Sequence, residues 1–310
     1  MQPEHFSFDG SGGLEIYGVR YPAVEPKASL GIIHGMAEHG RRYDCFAKRL
    51  AGSGYSVYVY DQRGHGKTAL KNDLPLGHLG NEGGWGDLVH DLGNLVEIME
   101  KKEKDNPNFL FGHSMGSFVA RHYIIEYGRK LDGTILSGTG KLNRPLLDLV
   151  DLLAKLETLF AGELAESTLV EKIMFSSHNS EFEPARTDFD WLSRDEEAVD
   201  GYVEDELAGF SCKTGFYTEF ISGLRSIAAR EKPDGLPSDF RLLFIAGEED
   251  PVGGEGEVRK LVERFRASDK LSVGLKIYEE ARHELIHEVN RDEVIEDIVD
   301  WLDEILLDPR

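Results

Sequence analysis

Only two cysteines, Cys45 and Cys212, occur in 310 residues, and they stand far apart without metal-ligand spacing. That excludes a disulfide-stapled fold and a zinc site of the usual kind, and it fits a reducing compartment. Basic charge is equally scarce: 35 Lys and Arg face 57 Asp and Glu, a net charge of −22. Phosphate backbones and anionic membrane surfaces are repelled by such a chain unless a local basic patch exists, and the sequence has none, so nucleic acid is not an expected partner. No apolar run approaches the length that spans a bilayer, and the opening MQPEHFSFDGSGG has neither the basic region nor the apolar core of an export signal. A cytoplasmic protein without stable membrane insertion is expected, touching lipid surfaces at most transiently. Internal repeats and low-complexity tracts are also missing, which leaves one large or two modest globular domains.

The chain is organised around Asn108–Tyr127, NFLFGHSMGSFVARHYIIEY. An apolar strand runs into Gly112-His113-Ser114-Met115-Gly116, and Phe118, Val119, His122 and Tyr123 then recur at helical spacing. A Gly-x-Ser-x-Gly turn between strand and helix leaves the serine hydroxyl free on a sharp bend, with the helix amides aimed at any oxyanion formed beside it. The pentapeptide alone is common in ordinary turns, so the rest of the chain has to decide.

Before it, Phe6–Phe8 and Leu14–Tyr21 read as a hairpin, and Leu30–Ile33 as a strand ending in His34-Gly35-Met36-Ala37-Glu38-His39. An apolar strand stopping at His-Gly is where an oxyanion loop is expected, with the Met36 amide pointing inward. A helix over Arg41–Gly52, the strand Tyr55–Tyr60 and a helix over Trp85–Lys104 follow. The intervening Asp61-Gln62-Arg63-Gly64-His65-Gly66 is read as structural, holding its neighbours through Asp61 and Arg63. With the strand Asp132–Leu136 the order is strictly alternating, which implies a parallel sheet covered by helices on both faces.

That alternation breaks at Ser137. Residues 139–238 show no clear strand, a leucine-rich helix over Leu146–Phe160, and aromatics including Phe189, Trp191, Phe210, Phe216, Tyr217 and Phe220. So long an insertion is best read as a helical cap, or lid, with most of its apolar residues forming the cap's own core and a few, Trp191 and Phe216 among them, lining a substrate pocket. The core is then 1–138 and 239–310. Strands resume at Arg241–Ala246, before Gly247-Glu248-Glu249-Asp250-Pro251, and at Leu271–Tyr278, before Ala281-Arg282-His283-Glu284. Val294, Ile298, Leu302 and Ile305 mark a closing amphipathic helix.

Ser114, Asp250 and His283 thus stand after three separate strands, in the order nucleophile, acid, histidine that an α/β-hydrolase requires. Asp250 is preferred as the acid because Pro251 fixes the turn behind it, with Glu248 and Glu249 as rivals; His287 is the nearest rival to His283.

On these residues the chain resembles the α/β-hydrolase superfamily, and within it the monoglyceride lipase, lysophospholipase and serine aminopeptidase-like branch. The motifs are HGMAEH with Arg42-Tyr43, DQRGHG, GHSMG, Asp250-Pro251-Val252 and Arg282-His283-Glu284. The resemblance implies an α/β-hydrolase fold, with Ser114 as nucleophile, His283 as general base and then acid, and Asp250 as the group orienting the imidazole. It also implies an oxyanion hole from the Met36 and Met115 amides, and needs no cofactor or metal. The serine at the elbow argues against dehalogenase and epoxide-hydrolase chemistry, where an aspartate would stand. Ser117, where relatives often have glycine, predicts slightly looser helix packing. The expected activity is hydrolysis of a single-chain carboxylic ester such as a monoacylglycerol, through an acyl-enzyme. Lysophospholipids, and amides held at a free amine by Glu204, Asp205 or Glu206, are the alternatives, and a non-catalytic binding module is a remote one.

Overall fold

Apolar and β-branched runs bounded by polar turns become strands, and the computed structural model, which describes residues 2–80 and 83–307, gathers eight of them into one sheet. The strands are β1 (Glu4–Asp9), β2 (Glu15–Tyr21), β3 (Ala28–Ile33), β4 (Tyr55–Tyr60), β5 (Asn108–His113), β6 (Gly133–Ser137), β7 (Phe240–Gly247) and β8 (Leu271–Tyr278). Their spatial order is β1-β2-β4-β3-β5-β6-β7-β8. Only β2 runs against its neighbours; every pairing from β4 to β8 is parallel. Every residue of β3 to β6 is buried, as parallel strands covered on both faces require.

The helices are α1 (Asp44–Gly52), α2 (Gly66–Lys71), α3 (Gly84–Lys102), α4 (Met115–Tyr127), α5 (Arg144–Ala161), α6 (Leu169–Phe175), α7 (Glu196–Glu204), α8 (Thr214–Arg230), α9 (Glu255–Arg266) and α10 (Arg291–Leu307). Phe46 and Leu50 of α1 and Ile298 and Leu302 of α10 pack with Phe109 and Phe111 on one face of the sheet. Leu110, between those phenylalanines, points to the other face, where α3, α4 and α9 supply Leu92, Val119 and Phe265. This is the two-residue period of a strand read out in packing. In α3 the interior glycines Gly86 and Gly93 cost about 1 kcal/mol each against alanine. The buried Leu88, Leu92, Leu95, Val96 and Met99 return roughly 1.5–3 kcal/mol apiece, so tertiary burial decides the helix.

Between β6 and β7 the described residues form helices and turns with one isolated bridge, Glu166 to Lys213, and no strand. This insertion does not keep to a core of its own. Its helix α8 lies on α3, α4 and α5, and Phe216, Phe220 and Leu224 join the cluster that holds Leu88 and Val119. Helix α5 differs from expectation in its orientation. It buries Leu147, Val150, Asp151 and Ala154, while Leu146, Leu149, Leu152, Leu156, Leu159 and Phe160 form an exposed apolar stripe. Two apolar stripes compete on this helix, and the narrower one, with the small Ala154, is the one that packs closely.

Under the sheet's carboxyl edge His34 and His65 are fully buried with rings 5.2 Å apart, and burial pushes both down to about 3. The unfolded chain binds these protons near the ordinary value of about 6.5, so the stability held by the two neutral rings is complete above that pH and is lost as pH falls towards 3. The thermal midpoint is therefore expected to drop between pH 7.5 and pH 5, measured by scanning calorimetry; an unchanged midpoint would mean that these rings are not held neutral.

Candidate active site

The chain passes from β3 to β4 on one side and returns to β5 on the other, so the sheet changes winding direction between β3 and β5. Ligand sites of open α/β sheets form beyond the carboxyl ends of strands at such a switch point. Here the loop after β3 and the turn after β5 meet.

Ser114 sits in that turn with φ 50° and ψ −119°, a conformation an L-residue rarely holds. Its amide donates to the Ser137 carbonyl at 2.9 Å, and its carbonyl accepts from the Ser117 amide at 2.9 Å. Gly112 and Gly116 are required by space: a Cβ on Gly112 would lie 2.6 Å from the Gly116 carbonyl oxygen, and one on Gly116 would fall on the Ile33 carbonyl. Ser117 does not loosen the packing. It is fully buried, and its hydroxyl donates to the Ser114 carbonyl at 2.6 Å, adding a bond that glycine would lack.

His283, 2% exposed, is held through Nδ1, which donates to Asp250 Oδ1 at 2.9 Å; the same oxygen accepts from the Val252 amide at 2.8 Å. Burial pushes the Asp250 carboxyl up, but the facing imidazole and these hydrogen bonds outweigh it and leave the group below its ordinary value. For His283 burial works downward, and the Asp250 charge and hydrogen bond overcome it, so the imidazole titrates above its ordinary value. Glu248 and Glu249 are exposed, Glu248 accepting from the Glu280 amide. His287 is half-buried, its ring edge-on to that of Tyr43. Neither carboxylate nor this histidine has the geometry of Asp250 and His283.

The loop after β3 approaches the serine closely: a Cβ on Gly35 would be 3.3 Å from Ser114 Cβ. It is braced by Glu38, which accepts from the Gly35 amide at 2.5 Å and from the Tyr43 hydroxyl at 2.8 Å. Arg42 joins this brace to the histidine loop, donating to Glu38 at 2.9 Å and to both Glu284 oxygens at 2.5 and 2.7 Å. Burial would raise Glu284, but Arg42 brings it down to about 2. Glu38, His113 and Glu284 place one metal-ligand atom each within 4.8 Å of one another, and Arg42 is already hydrogen-bonded to both carboxylates. The sequence names Arg42 and Glu284 only as motif neighbours; their pairing across 242 positions has no local signal. The loop after β4 is structural, as its composition indicates. Asp61 accepts from the Gly40 and Lys67 amides, and Arg63 pairs with Asp87 and Asp91.

Ser114, His283, Met36 and Met115 border one cavity of about 700 Å³, whose apolar wall includes Phe118, Leu142, Met174, Phe175, Phe220 and Leu224. Trp191 is on this wall. Phe216 is not where the sequence reading puts it: it is fully buried against His65, one helical turn below Phe220, which takes the cavity position. No residue of α5 borders the cavity, and most of its leucines face outward, so that helix supplies no wall. Of the acidic run, Asp205 is bonded to His39 at 2.9 Å while Glu204 and Glu206 are exposed.

A family model described as serine aminopeptidase S33 matches residues 24–290. A monoacylglycerol lipase from Mycolicibacterium smegmatis is 30% identical over 96% of this chain and 96% of its own, and human monoglyceride lipase is 28% identical over 86% of this chain and 79% of its own. Among solved structures, a thermostable carboxyl esterase from Bacillus coagulans in complex with glycerol superposes with a TM-score of 0.89 at 29% identity, covering 99% of both chains. A soluble variant of monoglyceride lipase from Saccharomyces cerevisiae has a TM-score of 0.76 at 20% identity, covering 98% of this chain and 96% of its own, which shows the fold.

Because the Asp250 carboxylate is what lifts His283, Asp250→Asn is expected to lower the His283 pKa, whereas Glu248→Gln and Glu249→Gln should leave it in place. NMR titration of the imidazole nitrogens measures this; a shift on Glu249→Gln larger than that on Asp250→Asn would reassign the partner.

Proposed function

The chain belongs to the serine aminopeptidase S33 family of the α/β-hydrolase fold and is a carboxylic ester hydrolase, and on that basis we propose that it cleaves monoacylglycerols or closely related single-chain lipid esters through a Ser114–His283–Asp250 triad. The observation that carries this reading is the 2.9 Å contact between Asp250 and His283 beside Ser114, opening on a 700 Å³ cavity with an apolar wall.

In the reaction His283 Nε2 takes the Ser114 proton as Oγ attacks the ester carbonyl, and Asp250 holds the imidazole in the required tautomer and balances its charge. The oxyanion receives the Met36 and Met115 amides, whose placement on a braced loop and a helix start requires no reorganisation. Collapse breaks the ester C–O bond, the imidazolium protonates the departing alcohol, and water then repeats the sequence on the acyl-enzyme.

Residues 139–238 act in this proposal as the cap, supplying the apolar wall while the sheet loops supply the chemistry. Neutral glycerides suit the strongly acidic chain better than lysophospholipids. The amino-acyl amide alternative needs a free carboxylate near the substrate amine. Asp205 is engaged by His39 and Glu171 accepts from the Ser211 hydroxyl, while the cavity wall is largely apolar, which supports the ester reading. No helix among the described residues is long and apolar enough to cross a membrane. Contact with lipid is assigned instead to the exposed stripe of α5, which is 55% exposed at Leu149 and Leu152 and 84% at Phe160. Free Cys45 and Cys212 fit a cytoplasmic setting.

Ser114→Ala is expected to abolish labelling by a fluorophosphonate probe and to cut turnover by about 10⁴–10⁶. In the wild type, kcat/KM on C4 to C16 monoacylglycerols should rise about fourfold per methylene until the cavity is full. Retained labelling in the variant would move the nucleophile, and an amino-acyl amide outpacing every glyceride would sink the lipid-ester reading.

Leu149→Glu together with Leu156→Glu should reduce activity on monoacylglycerol in neutral vesicles by roughly tenfold or more, through lost apolar contact, and leave hydrolysis of a soluble butyrate ester unchanged. Equal loss on both substrates would place the effect in folding rather than at the lipid surface.

A further inference from the structure

The catalytic imidazole has two aromatic walls, and only one belongs to the sheet. On the core side the His113 ring lies 4.7 Å from that of His283; on the other the indole of Trp191, from the helical insertion, lies 5.1 Å away at an angle of 38°. Trp191 is held by His178, whose ring meets it edge-on at 4.7 Å, and through its backbone amide, which donates to Asn179 Oδ1 at 2.9 Å. Its backbone is joined to the histidine loop. The Trp191 carbonyl accepts from the His283 amide at 3.4 Å, the Leu192 carbonyl accepts from the Glu284 amide at 2.7 Å, and Arg282 donates to the Asp190 carbonyl at 2.6 Å.

We propose that Trp191 is a positioning residue of the general base: it completes the slot that fixes the His283 ring and favours the imidazolium formed when the serine proton is taken. An indole attracts a cation within about 6 Å of its centroid, and the attraction grows when water is excluded. The 5.1 Å separation meets that condition, whereas His113 on the other side is driven by burial down to about 4 and stays an uncharged wall. The insertion thereby contributes to the reaction itself as well as to substrate binding. This inference rests on the triad reading above.

The other charges and titrating groups that act on His283 are Asp250, Glu284, Glu38, His113 and the insertion's His178, and all are retained in the variants that test the proposal. Trp191→Leu removes the aromatic face and Trp191→Phe keeps one; Trp191→Met replaces the leucine variant if that does not fold, as judged by its thermal transition. The pH dependence of fluorophosphonate labelling and of kcat and KM on a soluble butyrate ester are measured for each. In Trp191→Leu the acid limb is expected to move down by about half a pH unit, with kcat falling roughly three- to tenfold and KM nearly unchanged. Trp191→Phe should recover most of both effects. An unmoved acid limb in Trp191→Leu overturns the proposal, whether the rate is unchanged, falls without rescue by phenylalanine, or only the acyl-length preference shifts. A wild-type protein that the probe does not label overturns the triad reading instead.

Discussion

Helix α4 can start where it does only because its second residue has no side chain. Gly116 lies so close to the Ile33 carbonyl at the end of β3 that a methyl group would fall on that oxygen. Ser114, held at φ 50°, stores backbone strain of the order of 1–3 kcal/mol, and the bonds from Ser114 to Ser137 and from Ser117 back to Ser114 hold it there. Because the helix sits down on the strand, the loop leaving β3 is brought against the serine, at the one place where the sheet reverses its winding. Glycine at 116 thereby determines the distance between the proposed nucleophile and the proposed oxyanion loop, although neither glycine of the motif takes part in any chemistry.

The loops so assembled are joined by buried charge rather than by packing alone. Arg42 holds Glu38, which braces the loop after β3, and Glu284, which follows the proposed base, so two loops far apart in the chain share one guanidinium. Removing one partner of such a buried network typically costs about 3–5 kcal/mol, since an unpaired charge is left behind. The insertion ties into the same two loops. Tyr202 and Gly209 both donate to the Ala37 carbonyl, at 3.0 and 2.9 Å, and Leu192 accepts from the Glu284 amide. A movement of the helical segment would therefore be felt at the proposed oxyanion loop and at the histidine together.

How much of this was legible depended on whether the signal was local. The GHSMG turn, the His-Gly stop after β3 and the acid and histidine after β7 and β8 are short patterns whose geometry follows from a few adjacent residues, and the sheet alternation follows from period and length. Facing is a different matter. Helix α5 is apolar on two stripes, and periodicity cannot say which one meets α8; the close packing allowed by Ala154 decides, and the larger leucines are left outside. Phe216 and Phe220 lie one turn apart on one face of α8, stacked 6.0 Å apart, so depth rather than periodicity separates the core residue from the cavity residue. The contact of Trp191 with His283 joins positions 92 residues apart and depends on the path of the whole insertion.

Burial alone would make every histidine around this site a weak base. His34, His65, His113, His178 and His287 all titrate below the ordinary value, and desolvation is the leading cause in each. His283 is as deeply buried, yet it moves the other way, because a carboxylate bonded to its Nδ1 outweighs the same desolvation. Asp250 can stay ionised in that setting because Val252 and His283 both donate to it. The neighbouring rings then contribute by staying neutral: they fill space without competing for the proton that the proposed mechanism takes from Ser114. Placing one acid beside one of several buried imidazoles is sufficient to single out the proposed base, and that choice follows from the turn after β7 more than from any property of the histidine's own loop.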